Sequence, residues 1–98
     1  MALKKWAVKK TRLSRHKNIV GERVRLARLA MKPRVSQDDL SGKLARAGIQ
    51  ITQTSISKIE NRTRYVIDYE AAAIAKALKV SVAWLYGEAN EQRKSSGD

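Results

Sequence analysis

The sequence contains no cysteine and no phenylalanine, one proline, one histidine and only 9 acidic residues in 98. Without cysteine there is no disulfide framework and no thiolate metal site, which fits a reducing compartment without requiring one. The one histidine, His16, stands among lysines and arginines with no ligating neighbour in sequence; a metal centre needs three or four such ligands, so neither a metal nor a catalytic role is assigned to it. No apolar run approaches the ~18 residues of a membrane span. The N-terminus is basic but lacks the apolar segment of a secretory signal. The expectation is a cytoplasmic protein with no membrane association and no cofactor. A chain of 98 residues builds one small domain with a modest core, too small for the deep pocket that an enzyme or a small-molecule effector site uses. There is no glycine loop to cradle phosphate and no nucleophile–base pair. Asp38 and Asp39 are adjacent, so on a helix they diverge by about 100° and cannot share acid–base work. An enzyme is not expected.

What is abundant is positive charge: 21 lysines and arginines give a net +12. Such an excess calls for a polyanionic partner, nucleic acid first and an anionic membrane surface second. Three tyrosines and two tryptophans, not grouped as a stacking platform, argue against single-strand reading. Residues 1–17 hold seven of the cations and no acid. They read either as a solvated tail or as a basic arm that lies along DNA with Lys9, Lys10, Arg12 and Arg15 on phosphates; a basic helix lying on a membrane is a third possibility.

From residue 18 the pattern is helical. Asn18 can cap a first helix in which Val20, Val24, Ala27 and Met31 form one stripe, ended before Pro33. Ile19, Leu26 and Ala30 form a second apolar strip, more than one buried face needs. Ser36 can cap a second helix with Asp38 and Asp39 in its first turn, Leu40 and Leu44 on its buried side, and Ser41 and Gly42 allowing close approach; Gly48 ends it. Residues 62–67 read as irregular. Asp68 can cap a fourth helix carrying Ala71, Ile74, Ala75 and Leu78, and Ser81 a short fifth one, 82–86, closed by Gly87, with Trp84 and Leu85 plugging the core. Residues 88–98 are a polar tail.

The stretch 52–61 organises the rest. Thr52 is its N-cap. On a wheel with Gln53 at 0°, Thr54, Ser57, Lys58 and Asn61 fall between roughly 40° and 140°, and Ile56 and Ile59 lie opposite. Amides, short hydroxyls and an ammonium are the groups that read base edges or take phosphate in a major groove. A short surface helix is also polar on its outer side for no such reason, and the helix alone does not separate the two readings. Residues 36–61 together read as helix, turn, helix, the unit that sets its second helix into a major groove.

Four segments in this order, Ile19-Val20-Gly21-Glu22-Arg23-Val24-Arg25, Ser36-Gln37-Asp38-Asp39-Leu40, Ser55-Ile56-Ser57-Lys58-Ile59-Glu60-Asn61 and residues 75–85, resemble the Cro/phage-repressor (XRE-like) helix-turn-helix family of transcriptional regulators. The resemblance covers residues 18–87. It implies an all-α, compact five-helix repressor-type domain, here with a basic N-terminal arm, binding double-stranded DNA as a homodimer, in a bacterial or phage setting. It further implies that Gln53, Thr54, Ser57 and Lys58 face base edges, that Gln37, Thr52, Asn61, Arg62 and Arg64 lie on the DNA backbone, and that Arg28 and Glu60 form an ion pair between helices 1 and 3. The chain departs from the pattern in three places, one of them a slightly longer loop around Pro33. Arg62 stands where the family often has glycine, so the turn would rest on Asn61 taking a left-handed conformation. The connection between helices 2 and 3 is several residues longer than in short phage repressors, which leaves the docking angle of helix 3 open. A dimer surface is expected around Val80, Val82 and Tyr86. Two other functions stay in play: a non-specific nucleic-acid-binding module, and an antitoxin-type protein whose main partner is another protein.

Overall fold

The computed structural model of the chain describes residues 16–88. These form five helices and no strand: α1 (Gly21–Ala30), α2 (Gln37–Arg46), α3 (Gln53–Glu60), α4 (Asp68–Ala77) and α5 (Val82–Leu85). The short polar side chains expected at helix starts act there. Ser36 accepts the backbone N–H of Asp39, whose carboxylate accepts the N–H of Ser36 in return; Thr52 caps α3 through the N–H of Ser55, and Ser81 caps α5 through that of Trp84. Each bond satisfies a donor that a helix end otherwise leaves bare. The carboxyl of Asp39 is held below its ordinary value by hydrogen bonds from the backbone N–H and the side chain of Ser36.

Two helix starts differ from the sequence expectation. α1 begins at Gly21, not at Asn18; the Oδ1 of Asn18 accepts the N–H groups of Val20 and Gly21 from one turn earlier. α4 is capped not by Asp68, which is already its first residue, but by Glu70 reaching back to the N–H of Ile67. In both cases the capping group answers to tertiary contacts as well: Asn18 also donates to α3, and Glu70 also pairs with Arg64.

The helix ends share one device. In α2, α3, α4 and α5 the second residue beyond the helix is left-handed, and the N–H groups of that residue and the next close back on the last turn, satisfying carbonyls the helix leaves open. Gly48 (φ 86°) and Gly87 (φ 84°) fill two of these positions; Arg62 (φ 64°) and Lys79 (φ 61°) fill the others. At the end of α3 the left-handed residue is therefore Arg62, while Asn61 stays right-handed at φ −86°.

The core lies between the helices. α3 packs on α1 and α2, α4 on α2 and α5. Val20, Val24, Ala27, Leu40, Leu44, Ile56, Ile59, Ile74, Leu78 and Leu85 are all but sealed from water, and Trp84 is 5% exposed; burial of this apolar surface is what holds five short helices together. Val80 is in the core as well, at 7% exposed, so it drops out of the expected dimer surface. Ile19 and Leu26, the spare apolar strip, stay on the outside. The two small residues of α2 serve differently from expectation. Ser41 donates to the carbonyl of Ile51 and holds the 47–52 connection, whereas a methyl group at Gly42 would meet only the tip of Arg46. Close approach is instead the role of Gly21: a Cβ there would run into the carbonyl oxygen of Ile59 and crowd the Cα of Glu60, so glycine is what lets the start of α1 rest on the end of α3.

Candidate nucleic-acid interface

Ile56 and Ile59 anchor α3 in the core, and its opposite side is open. Gln53, Thr54, Lys58 and Asn61 are exposed there, Thr52 is exposed at the cap, and Ser57 is half-buried. The two-faced wheel read from the sequence is the arrangement found.

A chain of polar contacts fixes this helix to its neighbours. Arg28 meets Glu60 through two near-parallel bonds, Nε to Oε2 at 2.8 Å and Nη2 to Oε1 at 3.0 Å, and its third nitrogen donates to the carbonyl of Val35. The side chains are 9% and 4% exposed, so the expected helix 1–helix 3 pair is present and buried. The contacts continue outward. Nε2 of Gln37 donates to Oε1 of Glu60 at 2.9 Å, and Oε1 of Gln37 accepts Nε2 of Gln53 at 2.6 Å. Gln37, assigned by resemblance to phosphate, thus spends one amide nitrogen bond and one oxygen bond inside the protein and ties the first residue of α2 to both ends of α3. Sequence reasoning missed this link, although the signal was there: Gln53 and Glu60 are seven apart, hence on one edge of the helix, and one long side chain facing that edge reaches both.

The far end of α3 is held by Asn18, whose Nδ2 donates to the carbonyls of Ile59 and Arg64 at 3.1 and 2.8 Å. The N–H of Lys17 donates to the carbonyl of Arg62, and the Lys17 ammonium lies 4.9 Å from the centre of the Tyr65 ring. Arg62 is half-buried in this corner. Arg64 is drawn inward: its guanidinium bonds both oxygens of Glu70, at 3.1 and 3.3 Å, and the carbonyl of Tyr65. Burial pushes the Glu70 carboxyl up, but the Arg64 bonds and charge and the N–H of Ile67 outweigh it and leave it below its ordinary value. Arg64 therefore fastens the 62–67 segment to α4, with its side chain 29% exposed. Lys9, Lys10, Arg12 and Arg15 lie outside the described residues.

Among the described residues there is no cluster of three metal-ligating side chains, and no helix is long and apolar enough to cross a membrane. No family model, curated protein or solved structure matches the chain.

Proposed function

We propose that the protein is a sequence-specific double-stranded DNA-binding regulator of transcription, a repressor by its resemblance, that reads the major groove with α3. The observation that carries the reading is a short helix buried on one side by Ile56 and Ile59, presenting Gln53, Thr54 and Lys58 on the other, and held at its last turn by Arg28–Glu60 and Asn18 and at its first residue by Gln37. Base reading needs side chains held on a rigid element, and an excess of cations supplies the sequence-independent part of the affinity. The order α1 to α5 also agrees with the helix-turn-helix resemblance over residues 18–87. In this reading Gln53, Thr54, Ser57 and Lys58 touch base edges; Thr52, Asn61 and Arg62 approach the DNA backbone; and Gln37 and Arg64, both engaged within the protein, contribute mainly by holding α3 and the segment after it.

One reading helix covers only a few base pairs, too little to find a site in a genome, so the functional unit in this proposal is a homodimer on two half-sites about 10 base pairs apart or a multiple of that. With Val80 in the core, the candidate dimer surface reduces to Val82 and Tyr86, 44% and 36% exposed. Selection from random duplexes should return a two-fold symmetric site. On that site Gln53→Ala or Thr54→Ala should cost about 1–3 kcal/mol and on random DNA almost nothing. Equal losses on both duplexes would favour the non-specific module; an antitoxin-type protein would share the DNA module and be told apart by a toxin gene beside its own, and no DNA affinity at all would reject the reading.

A further inference from the structure

Between the start of α1, residues 65–66 and α5 lies a cleft of about 250 Å³, walled by His16, Ile19, Tyr65, Val66 and Tyr86. A second depression of about 390 Å³ shares Ile19 and Tyr86 with it and adds Val82, Ala83 and Glu88. The two make one continuous face whose apolar members, Ile19, Val82 and Tyr86, remain 40%, 44% and 36% exposed. Contiguous apolar surface of this kind on so charged a chain calls for a cover.

Both ends of the described chain meet this face, since His16 and Glu88 line it. Residues 89–98 bring only Ala89 as an apolar group, the rest being polar, charged or glycine. Residues 1–15 bring Leu3, Trp6, Val8 and Leu13. Leu13 is three residues from His16, about 10 Å of chain, and Trp6 is ten residues away, up to about 35 Å, so both can reach. Leu3, Trp6 and Leu13 are spaced by three and seven, a spacing that a helix would bring to one face. Lys10 shares that face; its stem can lie on apolar surface while its ammonium faces the Glu88 carboxylate on the rim. In addition, Nδ1 of His16 is buried without a hydrogen-bond partner among the described residues. Buried polar atoms are rarely left so, and a backbone group of the residues just before it would be the nearest source of one.

We propose that the N-terminal segment docks on its own domain, with Leu13 in the cleft beside His16 and Trp6 against Ile19, Val82 and Tyr86. The anchor is apolar, so most of the segment's cations stay on its outer side, beside the end of α3 to which Lys17 is already tied. The docking does not depend on the DNA reading and is tested without DNA; it takes Val82 and Tyr86 out of the dimer surface, so a homodimer on DNA would have to form through another face.

The measurement is tryptophan emission of the full chain, with the spectrum of Trp6→Phe subtracted to isolate Trp6 from Trp84. Docking predicts a Trp6 emission to the blue of that in denaturant, unchanged on dilution. Val82→Asp should return it to the denatured position; Ile19→Asp serves as an independent variant should Val82→Asp not fold. Leu13→Asp should lower the melting temperature by several degrees. Trp6 emission equal to that in denaturant would overturn the proposal. So would a blue shift that disappears on dilution while sedimentation reports dimer passing to monomer, because a second copy would then be the cover.

Discussion

Arg28 and Glu60 are the residues whose loss should be felt most. The pair is bidentate and nearly sealed, at 9% and 4% side-chain exposure. Removing one partner leaves the other charged, buried and unpaired, which costs about 3–5 kcal/mol. Arg28→Met should therefore lower unfolding free energy by that order in a urea titration, against under about 1 kcal/mol for an exposed pair. Glu70 makes a pH-dependent claim. Its folded value lies below the ordinary glutamate value, so its contribution is present above that ordinary value and is lost as pH falls through the lower folded one. Glu70→Gln should be less stable than wild type at neutral pH, with the gap closing on acidification below about 4.5. Melting temperatures of the two proteins across an acid series check this; a gap independent of pH would mean that Glu70 contributes by packing alone.

Among the elements, the contact between α1 and α3 rests on the absence of a side chain at Gly21. Gly21→Ala puts a methyl group into the carbonyl of Ile59, which moves backbone and not a flexible tip. Overpacking of this sort costs about 1–3 kcal/mol and exceeds the gain of up to about 1 kcal/mol from alanine's helix propensity. A melting temperature lower by several degrees is expected. The same residue shows where sequence reading succeeds and where it fails. Ser36, Thr52 and Ser81 at helix starts, and Gly48 and Gly87 after helix ends, carry their meaning within four residues of chain, and so do the apolar stripes. Gly21 reads in sequence only as a weak helix former, because its partner, Ile59, is far along the chain. Asn18 reads in sequence only as a local cap and Glu70 is passed over for Asp68, because each serves a local cap and a distant group at once. Arg62 and Lys79 could not be read as left-handed, since nothing in either residue favours a positive φ; the closing bonds of the helix ends impose it. The outward face of α3 was legible because burial of Ile56 and Ile59 decides it, whereas the inward turn of Gln37 and Arg64 was not.

At the scale of the whole molecule, charge dominates. Residues 18–87 already carry 12 basic and 6 acidic groups, and residues 1–17 add seven cations. Each phosphate contact contributes about −0.9 to the slope of log K against log salt. With three such contacts from the N-terminal segment, deleting residues 2–15 should flatten the slope by about 3 per protomer and weaken binding most at low salt. Titrations at several salt concentrations measure it. An unchanged slope would remove Lys9, Lys10, Arg12 and Arg15 from the DNA contacts while leaving the apolar anchor of that segment untouched.

The contacts from Arg28 to Gln53 have a direction. A carboxylate only accepts, so Gln37 must turn its nitrogen to Glu60 and its oxygen away; that oxygen only accepts, so Gln53 must turn its nitrogen to Gln37. Each amide would otherwise be free to flip end for end. The sense set at a buried ion pair is thus handed along two side chains to the surface, where Gln53 presents its carbonyl oxygen together with one remaining N–H. An outward oxygen seeks a donor. In a major groove the donors are the amino groups of adenine and cytosine, and adenine alone offers beside its amino group an acceptor for the second N–H. A protein reading DNA with this helix would carry a bias toward adenine at one position, written in the orientation of an amide.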